Sequence, residues 1–134
     1  MLKEGLKHQS IMSITAGNTA EFIGSGDMAV LATPAMVALM ENAAMLAVAP
    51  ALEQGQTTVG TMVSTSHIKA SKVGANVCAV AELSAIDGRK LTFKIAAYEG
   101  ETLIGWCIVF LCFIVFKLKD SCSVCSNEEV PWVL

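Results

Sequence analysis

The chain has 134 residues, which suits a single domain with a real core. Apolar residues make up 54% and charged residues only 16%, which excludes a disordered chain and implies much buried surface. A small domain this apolar is expected to hide part of its surface in a homodimer, with a tetramer left open by the sequence. The formal net charge is −3, and Lys3, Lys7, Lys69, Lys72, Arg89, Lys90, Lys94, Lys117 and Lys119 are scattered, with no basic stripe for a nucleic-acid backbone.

The start, Met1 to Gln9, is polar and unlike a signal peptide, so the expected location is the cytoplasm. The five cysteines, Cys78, Cys107, Cys112, Cys122 and Cys125, are odd in number and are expected to be free thiols. His8 to Thr15 reads as an edge strand running into the turn-like Ala16-Gly17-Asn18, and Gly24 to Asp27 marks a loop. At Thr33-Pro34 a helix begins: threonine suits the N-cap and proline the first helical position. It should stop near Pro50, giving roughly 16 residues and about 24 Å of rise. Glu41 and Asn42 are its only polar side chains after the opening Thr33, so the helix is expected to be buried on all sides.

Strand character follows over Thr57–Lys69, Val73–Ile86 and Arg89–Tyr98, with Asp87-Gly88 as a hairpin signal. Glu99-Gly100-Glu101 makes another turn into a last strand from about Thr102. One strand, a buried helix and a run of antiparallel strands define an α+β architecture with one sheet wrapped around one central helix.

Three residues carry the chemistry. Glu41 places a carboxylate in the middle of a greasy helix, which is costly without a partner; it points to a functional carboxylate, with a solvent gap or a structural pair as the alternative. His67, in Ser64-Thr-Ser-His-Ile-Lys69, sits near a strand end and could share acid–base work with that carboxylate. Thr33, as a cap, lies about 12 Å along the axis from Glu41, so the two share a substrate or meet across a dimer interface rather than touching within one chain. The first-turn amides and the positive end of the helix dipole suit a thioester carbonyl or an oxyanion. Met36, Met40 and Phe22 are candidates for the pocket wall and equally good core residues.

These residues resemble a known family. The stretch Gly26-Asp-Met-Ala-Val-Leu-Ala-Thr-Pro-Ala-Met-Val-Ala-Leu-Met-Glu-Asn-Ala-Ala44, then Thr57 to His67, then Val73-Gly-Ala-Asn-Val77, is similar to the hotdog-fold thioesterases that resemble fluoroacetyl-CoA thioesterase. So are the start Leu2 to His8 and the hairpin Ile86 to Phe93. The specific part is the spacing: Glu41 eight positions after Thr33, and His67 twenty-six after Glu41. The resemblance implies a hotdog fold, a site at a dimer interface, Thr33, Glu41 and His67 as catalytic residues, and Gly60 as a substrate-binding glycine. It implies acyl-CoA hydrolysis to acid and CoA, with no metal or organic cofactor and CoA as part of the substrate. Rival readings are a non-catalytic hotdog protein that binds acyl-CoA and a hotdog dehydratase or isomerase acting on acyl-CoA.

The resemblance covers residues 1–105, the thioesterase-like domain, and residues 106–134 form a divergent strand and tail of the same domain. The family continues Gly-x-Gly-Thr-His-x-Arg, whereas here Trp106 to Phe116 is an apolar run, a break of the kind a frameshifted or replaced C-terminus produces. Leu103 to Phe116 is 14 residues, short of the roughly 20 that a membrane-spanning helix needs. Its Val, Ile and Phe content favours a strand, so membrane association is not expected. Cys122-x-x-Cys125 lacks the second ligand pair of a structural zinc site and reads as solvated tail.

Overall fold

The computed structural model describes the backbone of residues 1–117 and 121–122 and the side chains of residues 1–115. Strand β1 (Lys7–Ser13) leads through a 3-10 turn at Ala16–Asn18 to the short helix α1 (Ala20–Ile23) and the long helix α2 (Thr33–Val48). Four long strands follow: β2 (Gln56–His67), β3 (Asn76–Asp87), β4 (Lys90–Glu99) and β5 (Thr102–Lys117), with a two-residue β6 (Ser121–Cys122) against the end of β5. The sheet is antiparallel throughout, in the order β1-β3-β4-β5-β2. This is the sheet-around-helix architecture expected from the sequence.

The β3–β4 hairpin forms where expected, displaced by one residue. Asp87 pairs with Lys90, so Gly88 and Arg89 make the two-residue loop, and Gly88 supplies the positive φ of 58°. Helix α1 was not expected; Thr19 caps it by accepting a hydrogen bond from the Phe22 amide, and Gly24 ends it at φ 88°.

Helix α2 packs on β1 and β3. Small residues on both sides, Ala43, Ala44 and Ala47 of the helix and Ala79, Ala81 and Ala97 of the sheet, let the backbones approach closely. Met36, Met40, Leu83, Leu91 and Phe93 fill the space around them and are fully buried. Burying each such side chain contributes about 1.5–3 kcal/mol. Ser10 Oγ donates to Asn42 Oδ1 at 2.7 Å and ties β1 to the helix.

The expectation of a helix buried on every side does not hold. Pro34, Ala38, Asn42 and Met45 form an exposed stripe, because α2 packs mainly on β1 and β3 and leaves the middle of β2 uncovered. Thr33–Ala51 is long and apolar enough to cross a membrane by composition, yet its other face is the core of the domain.

The apolar run after Leu103 is a strand. On β5, Cys107, Val109 and Leu111 point inward and are buried, while Trp106 and Ile108 point outward and are 47% and 43% exposed. Strand β2 is the edge of the sheet, and its middle, Gly60 to Ser64, is exposed. Cys78 and Cys107 carry free thiols, whereas Cys112 is disulfide-bonded, against the expectation for that position. The Cys122/Cys125 spacing falls outside the described side chains.

Candidate active site

Thr33 is not the helix cap. Ala32 takes that position with extended backbone and no side-chain cap, and Thr33 and Pro34 are the first two helical residues. The threonine hydroxyl is therefore free for another partner: Thr33 Oγ1 lies 2.8 Å from His67 Nδ1. The pair joins the start of α2 to the end of β2 across 34 positions of sequence.

His67 is held from behind. It pairs across the sheet with Gly105, and the following amides of Ile68 and Lys69 donate to the Ile104 carbonyl at 2.8 and 3.3 Å. Burial disfavours the imidazolium and lowers the pKa of His67 below its ordinary value, with the Lys69 backbone pulling the other way. Burial thus favours the neutral ring, which has one basic nitrogen. Its Nε2 is buried and has no hydrogen-bond partner among the described residues. If Thr33 donates to Nδ1, Nε2 carries the proton; if Thr33 accepts, Nε2 is the basic nitrogen. These two residues line a cavity of about 290 Å³ together with Leu31, Ile68 and Lys69.

Glu41 occupies a second cavity, of about 240 Å³, with Ala38, Met45, Thr58 and Leu111 on its walls. Its carboxylate rests against Gly60: a Cβ built there would lie 2.5 Å from Glu41 Oε2. Glu41 makes no hydrogen bond or ion pair among the described residues, where the one ion pair is Lys7–Glu82 at 3.7 Å. The Cys107 thiol lies close by; burial pushes its pKa up, and the negative charge of Glu41 adds to the rise.

One chain therefore brings Thr33 and His67 together and holds Glu41 with Gly60 elsewhere, near the other end of the exposed edge of β2. Among the described residues no three His, Cys, Asp or Glu side chains converge as metal ligands. Met36 and Met40 are core, and Phe22 is 72% exposed on α1, outside both cavities. The sequence pattern does not single out Gly105. Its absent Cβ would lie 2.6 Å from the Ser66 carbonyl oxygen and 2.9 Å from the Met36 side chain, so only glycine fits beside His67. No local signal reveals that contact, because it depends on the β2–β5 register.

The architecture recurs in known proteins. A hot-dog-like protein from Thermanaerovibrio acidaminovorans superposes with a TM-score of 0.77 at 12% identity, over 85% of this chain and 84% of that one. A thioesterase superfamily member from Thermus thermophilus gives a TM-score of 0.79 at 27% identity, covering 86% of this chain and 85% of that one. A variant of the fluoroacetyl-CoA-specific thioesterase FlK, in complex with fluoroacetate and CoA, gives 0.79 at 28% identity, covering 85% and 96%. The fold is thus the hotdog fold of thioesterases.

The sequence narrows this further. Residues 14–111 match the family model described as fluoroacetyl-CoA-specific thioesterase. The fluoroacetyl-CoA thioesterase of Streptantibioticus cattleyicolor is 41% identical over 76 residues, 57% of this chain. That match spans about half of the relative, 55% of its length. The chain belongs to the fluoroacetyl-CoA-specific thioesterase family.

Proposed function

We propose that the protein is an acyl-CoA thioesterase that hydrolyses a small acyl-CoA to acid and CoA in the cytoplasm. It works as a homodimer, each site combining Thr33 and His67 of one subunit with Glu41 of the partner subunit. The observation that carries this reading is the Thr33–His67 hydrogen bond, with Glu41 set apart on Gly60 in the same chain. A two-fold axis crossing the exposed middle of β2 brings the Gly60 end of one copy to the His67 end of the other. It also covers the exposed stripe of α2 and the unpaired edge, which leaves no sticky strand in solution.

In this arrangement Glu41 either attacks the thioester carbonyl, expelling the CoA thiolate and leaving a mixed anhydride that water then hydrolyses, or orients the water that attacks directly. In both routes neutral His67 accepts the proton the water gives up and passes it to the thiolate, and Thr33 fixes the orientation of the ring. The amides of the first turn of α2 face the developing oxyanion. Gly60, on the wall of the Glu41 cavity, makes room for the carboxylate and contributes to substrate binding. No cofactor enters, since CoA is part of the substrate.

The test is complementation. Glu41→Gln and His67→Ala subunits, each inactive alone, are unfolded together, refolded and assayed for CoA release from short acyl-CoA esters. A shared site restores about a quarter of wild-type activity, because half of the dimers are mixed and each mixed dimer has one intact site. No recovery from folded mixed dimers would sink the shared site. A Glu41→Gln enzyme with full turnover would sink the role of the carboxylate. A wild-type protein that binds acyl-CoA without releasing thiol would be a binding protein, a dehydratase or an isomerase.

A further inference from the structure

The chain carries more acidic than basic residues, so where its cations stand near the site is informative. Among the described residues no cation lines the Glu41 cavity, whereas Lys69 lines the cavity that holds Thr33 and His67. Lys72, three residues on, forms a backbone bridge with Val30 on the wall of that same cavity. The segment bearing both lysines is anchored: Ile68 and Lys69 donate to the Ile104 carbonyl, and the Leu31 amide donates to the Ser71 carbonyl at 2.8 Å. Both lysines are exposed, and neither makes an ion pair among the described residues. A lysine on an anchored backbone at the edge of a cavity, with no counter-ion among the described residues, suits an anion that arrives with the ligand.

Building on the thioesterase reading, we infer that Lys69, with Lys72 beside it, forms a phosphate-recognition subsite for the nucleotide end of CoA. The substrate then lies in one direction. Its phosphates are at Lys69, its thioester passes Thr33 and His67, and its acyl group points toward the mixed polar and apolar cavity around Glu41 of the partner subunit. A rim charge of this kind steers and orients the ligand more than it strengthens the chemical step.

Full-length Lys69→Glu is compared with wild type and with Lys3→Glu, an equal charge change beyond the opposite edge of the sheet. Three readouts are taken: turnover of a short acyl-CoA, turnover of the same acyl group on N-acetylcysteamine, which has no phosphate, and calorimetric titration with adenosine 3′,5′-bisphosphate. Lys69→Glu is expected to raise Kd for the bisphosphate about tenfold, and to raise KM for acyl-CoA about tenfold more than KM for the N-acetylcysteamine ester. Lys3→Glu should match wild type in all three readouts. An unchanged Kd and KM, or an equal rise in KM for both esters, would overturn the subsite. If neither ester is hydrolysed, the thioesterase reading fails, and the bisphosphate titration still decides whether Lys69 binds phosphate.

Discussion

Replacing Gly60 by alanine separates the position of Glu41 from the stability of the fold. The added methyl would sit 2.5 Å from Glu41 Oε2, 3.7 Å from Cδ and 3.9 Å from Leu111 Cδ2. Optimal non-bonded separations are about 3.5–4.0 Å, so the carboxylate oxygen must retreat by about 1 Å while the rest of the contact stays ordinary. The obstacle is the free end of a flexible side chain, so the backbone need not move. Alanine in place of glycine inside a strand gains roughly 0.5–1 kcal/mol of conformational entropy, which offsets the cost of the new rotamer. Gly60→Ala should therefore melt within a few degrees of wild type. Displacing a catalytic group by about 1 Å costs on the order of a hundredfold in rate, so kcat should fall by that factor. Thiol-release kinetics beside thermal melting give both numbers. A Gly60→Ala protein with wild-type kcat would refute the claim that Gly60 sets where the carboxylate stands.

Other variants and conditions probe the remaining contacts. Gly105→Ala meets the Ser66 backbone oxygen, which cannot step aside, so it should destabilise the protein by about 1–3 kcal/mol in denaturant titration, unlike Gly60→Ala. Thr33→Ala removes the partner of His67 Nδ1 and should lower kcat about tenfold, whereas Thr33→Ser keeps the hydroxyl and most of the rate; equal losses in both would show that the methyl matters instead. The lowered pKa of His67 also has a signed consequence. The unfolded chain takes up the proton first as pH falls, so stability is full above the ordinary histidine value, and declines below it until the folded pKa is passed. That slope should vanish in His67→Gln. The acid limb of kcat/KM should likewise lie below the ordinary histidine value, and a limb at or above it would contradict the neutral ring.

Much of this architecture is local in origin and so is legible in the chain. Turn residues at Asp87-Gly88 and at Glu99-Gly100 punctuate the strands, Thr33-Pro34 opens the helix, and the apolar run from Leu103 is too short to span a bilayer and rich in strand formers. Glu41 stood out because a carboxylate amid apolar helical residues is costly wherever the helix goes. The tertiary structure alone decided the rest. The sequence suggested that Thr33 would cap the helix, yet its hydroxyl reaches His67, because the end of β2 returns to the start of α2. Composition suggested a helix buried all round, but the order β1-β3-β4-β5-β2 leaves its Ala38 and Met45 side open and puts β2 at the edge. Gly60 under Glu41 and Gly105 beside Met36 are contacts between distant segments. Local propensity fixes which residues form a strand; only long-range pairing fixes which strand lies next to it, and the site is made from those pairings.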